Sequence, residues 1–556
     1  MARPIELDPE GALAGEAAGR VRARRLAGAV ERYAVVALVL LAAAGLTLRL
    51  AGVGAVGLAE DEVNKLDAAR AYARGDITAN AEHPMVMKSL ILVSVGAASA
   101  WNARAPAPLR VSDEAALRFP NILFGALTVF PLFLLTAALF DRRTALAAAA
   151  LWAFGVNAAT YNRVAKEDTL LVFFMLFAFY FYARAKQTSG FDPRRKRRNY
   201  LLSAASFGLM FASKYFPHYF GLNMLYHHHA RLREREPGEP RGSTPAYFYA
   251  AVLAAFLAAN PAILLPQTWS YLSAYSSEGL LTHHGYLMGE TLYDNVVSKS
   301  PFGATPVYFY LLFLLIKTPP VLLVMLVVGL FVAAKRRREP GPLFVLMMFV
   351  LWVVPYSLFG AKWLRYALSL MPFVYMLAAV GVVWAAGRAS ALARRLRLRG
   401  AAAGAAVAIF LLAAPAWAAL RSAPHHALYT NLLAPGRAGY YFPHDEFYDD
   451  GLREALRYVA EHAPPGATVA HETPGVARYY LEKFGRADLR SRTISDPDFE
   501  LTREPPPTYA ILQRGRTYFE NREELRQARS GAAGFTLRRE VLIEGALAAE
   551  VYANDK

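Results

Sequence analysis

The sequence has no cysteine in its 556 residues. That excludes a disulfide framework, a thiolate nucleophile and a Cys-ligated zinc, and leaves chemistry to carboxylates, imidazoles, amines and hydroxyls. Acidic residues are in the minority: 44 Asp and Glu stand against 61 Lys and Arg, a formal net charge of +17. The basic residues fall in short clusters between apolar runs and not along one amphipathic face, so nucleic acid is not an expected partner. No internal repeat is visible. What the chain has in quantity is apolar surface, with 55% hydrophobic residues and a mean hydropathy of +0.23. A body embedded in a lipid bilayer follows more naturally than several soluble domains.

Apolar runs lie at 33–50, 116–140, 144–160, 169–186, 199–213, 215–229, 244–266, 305–333, 341–359, 366–386 and 401–420. They predict about eleven transmembrane helices, several short enough to need tilt or paired insertion. The stretch 89–101 is expected to lie along the membrane surface. Basic clusters at Arg142–Arg143, 194–198, Arg231 to Arg235, 335–338 and 394–399 then all fall on the cytoplasmic side, as the positive-inside rule requires. Residues 1–32, with Arg20, Arg22, Arg24, Arg25 and Arg32, form a cytoplasmic tail before a signal anchor, being too long for the leading region of a cleaved signal peptide. Residues 234–244 read as a cytoplasmic linker. The outer pieces are 51–115, the turns 161–168, 213–217 and 360–365, the loop 267–304, and everything after 421. That tail alternates helix-periodic and strand-like stretches. The expected fold is therefore an all-α polytopic membrane protein spanning 33–420, with a small extracytoplasmic soluble α/β domain at 421–556, placed in the inner (plasma) membrane.

Chemically equipped residues gather on the outer side. Adjacent carboxylates at Asp61-Glu62, just beyond the first helix, suit a general base or a metal ligand, because desolvation and like charge separate their pKa values; a solvated acidic turn is the plainer reading. Glu82-His83 and Lys88 precede the surface-lying stretch, where the ammonium can meet a lipid phosphate or simply snorkel. Arg163 to Asp168 forms a turn in which Arg163 and Glu167 are spaced for a helical ion pair, and Asp168 opens an apolar helix, where a carboxylate is costly to bury. Lys214 and Lys317 lie at membrane depth and need partners. Lys362 and Arg365 occupy a short outer link against the positive-inside trend, which a bound phosphate or an ion pair with Asp168 would explain. His284 and Tyr286 lie in the 267–304 loop. A divalent metal would need one histidine of that loop together with His83, Glu82 or Asp61. His227 to His229 fall at a cytoplasmic helix end.

Taken in order, these residues resemble the GT-C superfamily of membrane glycosyltransferases, in particular the dolichyl-phosphate-mannose protein mannosyltransferases and their aminoarabinose lipid A transferase relatives. Asp61-Glu62 resembles that family's first-loop acidic pair, and His83-Pro84 with Lys88 its His-Pro-Pro-Leu-Gly-Lys segment, with Met85 and Val86 replacing Pro and Leu. Arg118-Phe119-Pro120-Asn121 to Val129 is similar to the second-helix entry, and Arg163 to Asp168 to an Arg-x-Ala-x-x-Asp turn. Lys214-Tyr215, His284-Gly285-Tyr286, Lys317-Thr318-Pro319 and Arg365-Tyr366 with Pro372 complete a series over about residues 33 to 380, whose order and sidedness are what make it specific. The resemblance implies a GT-C fold and a sugar donor carried on a polyprenyl phosphate. It implies that Asp61 deprotonates an acceptor hydroxyl, that Glu62 orients Asp61 or the acceptor, that Asp168 supports the site or a basic partner, and that Lys88, Lys214, Lys362 or Arg365 holds the donor phosphate. His83, Arg163, His284, Tyr286 and Lys317 are further substrate-site candidates, with Glu82, His83 and His284 as candidate metal ligands. The acceptor is a protein, lipid or glycan hydroxyl. The rival class is a membrane transporter or lipid flippase, for which repeated halves and midplane charges are expected. A non-catalytic assembly scaffold leaves the clustered acids and lysines without a role.

Overall fold

In the computed structural model the described residues are 33–215, 221–222, 226, 238, 244–277, 284–296, 299 and 302–554. The expected cytoplasmic tail, most of the expected helix 215–229, His227 to His229 and most of the linker 234–244 lie outside them. The chain begins with α1 (Tyr33–Leu50), followed by α2 (Glu60–Ala73), α3 (Met85–Asn102), α4 (Asp113–Leu127), α5 (Val129–Leu139), α6 (Arg142–Ala153), α7 (Val156–Asn162), α8 (Asp168–Gln187) and α9 (Pro193–Ser213). Then come α10 (Ala246–Ala259), α11 (Pro266–Ser276), a short hairpin of β1 (Tyr286–Met288) and β2 (Thr291–Tyr293), α12 (Phe309–Lys317), α13 (Pro320–Lys335), α14 (Pro340–Leu358), α15 (Met371–Arg395) and α16 (Gly400–Arg421).

Seven helical runs among the described residues are long and apolar enough to cross a membrane: α1, α3, the run Ala107–Leu139 that contains α4 and α5, α8, α14, α15 and α16. Six correspond to runs read from the sequence. The seventh, α3, is the stretch expected to lie on the surface, and its 18 residues reach a mean hydropathy of 1.3. Of the remaining expected spans among the described residues, 199–213 is the apolar part of the 21-residue α9, behind its basic first turns, and the others are shorter helices. The run 144–160 breaks at Gly155 between α6 and α7, where a Cβ would stand 2.1 Å from the Tyr375 hydroxyl. The run 305–333 breaks at Pro319-Pro320, since proline cannot donate into a helical ladder. Apolar helices α10 and α13 have 14 and 16 residues. At the centre of the bundle, α13 and α15 approach so closely that a Cβ on Gly329 would meet the Leu377 carbonyl at 1.7 Å. Small residues allow such contact where no hydrophobic effect drives helices together.

After α16 the chain continues into α17 (Pro443–Phe447), then builds a mixed sheet. The elements are α18 (Leu452–His462), β3 (Thr468–His471), α19 (Pro474–Lys483), β4 (Arg490–Thr493), β5 (Thr508–Gln513), α20 (Arg522–Ser530), β6 (Thr536–Ile543) and β7 (Ala546–Asn554). Strand order is β4-β3-β5-β7-β6. The first three strands are parallel, and β7 and β6 complete the sheet antiparallel. This region does not hang free. Leu58, Val63 and Leu66, in and just before α2, share one apolar cluster with Leu452, Leu456, Val476 and Tyr480. The Tyr480 hydroxyl accepts from the Leu58 N–H at 2.8 Å and donates to Glu114 at 3.0 Å.

Candidate active site

Helix α2 starts from an extended Ala59, and Glu60, Asp61 and Glu62 occupy its first turn, where carboxylates complement the helix dipole. Their environments then diverge. Glu62 accepts the Ala59 N–H at 3.1 Å, the Ala165 N–H at 2.9 Å and a two-pronged bond from Arg118 at 2.8 and 2.6 Å. Arg118 also donates to the carbonyls of Val53, Val56 and Gly57. The pair is buried and binds α2, α4 and the turn before α8 into one piece. Glu62 therefore supports Asp61 through the backbone.

Asp61 keeps a side chain about one-third exposed, with Lys166 Nζ at 2.7 Å and Arg365 Nη1 at 3.9 Å. Tyr448 donates its hydroxyl to Asp61 Oδ2 at 2.5 Å. Burial alone would push this carboxyl up, but Lys166, Arg365 and Lys65 hold it well below the usual carboxylate range. In return, burial pushes the Lys166 ammonium down to about 8 in spite of Asp61. Behind them lies a second buried group. Lys65 pairs with Glu167 at 3.0 Å, and His83 Nδ1 stands 3.9 Å from the same oxygen. Burial drives the His83 imidazole well below its ordinary pKa, so it stays neutral.

The expected phosphate-binding residues separate into two kinds. Lys88 spends its three donors on the carbonyls of Ala79, Asn80 and His83, at 3.1, 2.6 and 2.8 Å. Lys362 donates to Thr305 and Phe359 carbonyls at 2.6 and 2.5 Å, and burial pushes it down to about 8. Both hold loops. Lys214 bonds Asp168 Oδ1 at 2.5 Å and lies over the Tyr366 ring, and Arg365 lies over Trp363 and Tyr366 while reaching toward Asp61. Of the other candidates, Lys317 bonds the Ala427 and Tyr429 carbonyls at 2.9 Å each and pairs with Glu446. Arg163 donates to the Arg49 and Ala51 carbonyls at 3.0 and 2.6 Å. Tyr286 donates to Asp445 at 2.6 Å. His284 pairs with Glu520 of the C-terminal region at 2.9 Å.

Lys166, Asp168 and Arg365 line a cleft of about 780 Å³ including its open mouth, whose opposite wall is the segment after α16: His425, His426, Asp445, Glu446 and Tyr448. Asp61 sits behind Lys166, Arg365 and Tyr448. Sequence reasoning passed over Lys65 and the whole C-terminal wall, gave Lys166 no role of its own, and spaced Glu167 for an ion pair with Arg163, whereas Glu167 pairs with Lys65 and Arg163 bonds carbonyls. The signal for Lys65 was present, four residues beyond Asp61 on the same helix; Tyr448 had none. The candidate metal ligands do not converge. Glu82 accepts from Asn80, His83 faces Glu167 and His284 faces Glu520. Among the described residues no three His, Asp or Glu side chains are placed to share an ion.

The dolichyl-phosphate-mannose-protein mannosyltransferase family model matches residues 95–265, and the Alg9-like mannosyltransferase family model matches residues 289–424. No curated protein sequence matches the chain. Among solved structures, the Archaeoglobus fulgidus oligosaccharyltransferase in its apo form is similar at a TM-score of 0.52 and 12% identity, over 86% of this chain and 69% of that one. The same organism's AglB, in complex with an inhibitory peptide and a dolichol-phosphate, gives 0.51 and 11% over 94% and 74%. Cupriavidus metallidurans ArnT in the apo state gives 0.49 and 14% over 94% and 98%. Two mannosyltransferase family models thus match in succession along the chain, and its fold is shared with the two Archaeoglobus fulgidus oligosaccharyltransferase structures.

Proposed function

We propose that this protein moves a sugar from a polyprenyl-phosphate donor to an acceptor hydroxyl on the extracytoplasmic face, in the cleft between the membrane helices and the C-terminal region. The observation that carries the reading is Asp61, a partly exposed carboxylate directly behind the cleft residues Lys166 and Arg365 and in contact with both. A donor phosphate entering the cleft competes with Asp61 for those two cations. As they turn to the phosphate, Asp61 loses the charges that hold its pKa down and becomes a better base. The acceptor proton passes to Asp61 and the acceptor oxygen forms a bond to the anomeric carbon. The bond from that carbon to the phosphate oxygen breaks with its electron pair on the phosphate, leaving polyprenyl phosphate and an inverted sugar. Arg365 and Lys166 stabilise the charge that develops there. Lys214 and Asp168 support the far side of the cleft.

Several helices support the sidedness. On α8 the cleft residue Asp168 opens the helix and Arg184 and Lys186 close it. On α9 the run Arg194 to Arg198 opens it and Lys214 follows its end at the cleft. On α15 the basic Arg394 and Arg395 lie at the end away from Arg365. With basic ends cytoplasmic, the cleft opens outside, which fits an inner (plasma) membrane protein and a lipid-borne donor. The mannosyltransferase family matches favour this reading over a transporter or flippase. The acceptor is a protein, lipid or glycan hydroxyl. In purified protein, Asp61→Asn should lower transfer from a labelled polyprenyl-phosphate sugar by about 10²- to 10⁴-fold while polyprenyl phosphate still binds. Full transfer by that variant would sink the assignment.

A further inference from the structure

The shortest contact to Asp61 comes from the far end of the chain. Tyr448 follows α17 with φ 47° and ψ 52°, and Asp449 follows with φ 65°. Consecutive non-glycine residues in the left-handed region are unfavourable and persist only where the surroundings dictate them. Here the surroundings do. The Asp449 carboxylate accepts from Arg516 at 2.6 and 2.5 Å, from Gln513 at 3.2 Å, and from the backbone N–H of Glu60 at 3.0 Å. Arg516 also reaches the Glu60 side chain at 2.9 Å. The first turn of α2 is thus gripped by the C-terminal region at Glu60 and by Arg118 at Glu62, with Asp61 between them.

We propose that Tyr448 is a positioning residue for glycosyl transfer, fixing the Asp61 carboxylate through its hydroxyl, so that the site is complete only with the C-terminal region docked. This rests on the reading of Asp61 as base. The groups facing Asp61 are Lys166 from the turn before α8, Lys65 and Glu60 from α2 itself, His83 from the segment before α3, Arg365 and Tyr366 from the link before α15, and Tyr448. All the cations pull the carboxylate toward themselves. Tyr448 is the neutral donor that holds one oxygen from the opposite wall of the cleft, and burial keeps its phenol protonated across the working range.

The test is Tyr448→Phe in the full-length protein, which retains the ring and removes only the hydroxyl. The expected result is a fall in kcat of about tenfold, the scale of one lost hydrogen bond to a charged group, with donor KM and thermal midpoint unchanged. The acid limb of the rate profile should move to higher pH, because the ionised carboxylate has lost a donor. An unchanged kcat overturns the proposal. So does a fall in kcat that comes with a lowered thermal midpoint or with the acid limb in place, either of which marks a tyrosine that only packs. Asp61→Asn measured alongside separates the two claims. Full activity there defeats the base, whereas loss there with a silent Tyr448→Phe defeats the tyrosine alone.

Discussion

The two walls of the cleft handle charge differently. On the membrane wall each carboxylate meets a cation from another element: Asp61 with Lys166, Glu62 with Arg118, Glu167 with Lys65 and Asp168 with Lys214. On the C-terminal wall, Asp445 accepts from Tyr286, Glu446 pairs with Lys317, and Asp449, held by Arg516 of its own region, accepts the Glu60 N–H, so the acids of the returning chain are spent on docking it. The contrast also divides the cations. Lys88 and Lys362 are held by carbonyls, which a phosphate cannot replace without opening a loop. Lys166 and Arg365 are held by a carboxylate, which a phosphate can replace charge for charge. The first kind shapes the site and the second can serve the donor.

That division breaks most visibly in donor binding. Arg365→Ala and Lys166→Met should each cost about 10²-fold in kcat/KM, as loss of a charge-assisted contact to the leaving phosphate does, whereas Lys88→Met should act first on thermal stability. If titration with polyprenyl phosphate finds Lys88→Met weakened and Lys166→Met unchanged, the division is reversed. Next in size is Glu62→Gln. Removing one charge from a buried ion pair costs about 3–5 kcal/mol, so the thermal midpoint should fall sharply, and an unchanged midpoint would mean that Glu62 is free to act on substrate. The smallest effect concerns the C-terminal region alone. Burial raises Glu472 to about 7, opposed by its bonds from Asn521 and Ser495. A carboxyl raised in the folded state binds more protons there, so stability should decline as pH rises from about 4.5 through 7. Glu472→Gln should flatten that slope in thermal melts, and a slope that persists would place its origin elsewhere.

The sequence made the membrane body legible because apolar runs report directly on lipid. It misjudged where runs break, since Gly155 and Pro319-Pro320 act through packing and ladder geometry that hydropathy does not register. It also set α3 on the surface, although its length and composition allow it to cross. Asp61 stood out as a candidate because it is adjacent to other acids beside a helix end. Lys88 and Lys362 looked the same as Arg365 in sequence, because whether a cation meets a carbonyl or a carboxylate is settled by long-range contacts. Tyr448 was out of reach for the same reason: its partner lies 387 positions away. The C-terminal α/β region was visible in its alternating periods, but its docking on α2 was not, because Leu452, Leu456 and Val476 read only as an ordinary core.

The central claim is that the sugar leaves a lipid phosphate by cleavage between the anomeric carbon and oxygen. Its most direct test gives the purified protein a polyprenyl-phosphate sugar labelled both in the sugar and at phosphorus, with an acceptor hydroxyl, and follows both labels. The sugar label should move to the acceptor with inverted configuration while the phosphorus stays on the lipid as polyprenyl phosphate. Phosphorus travelling with the sugar, or transfer that proceeds equally from a donor without the lipid phosphate, would contradict it.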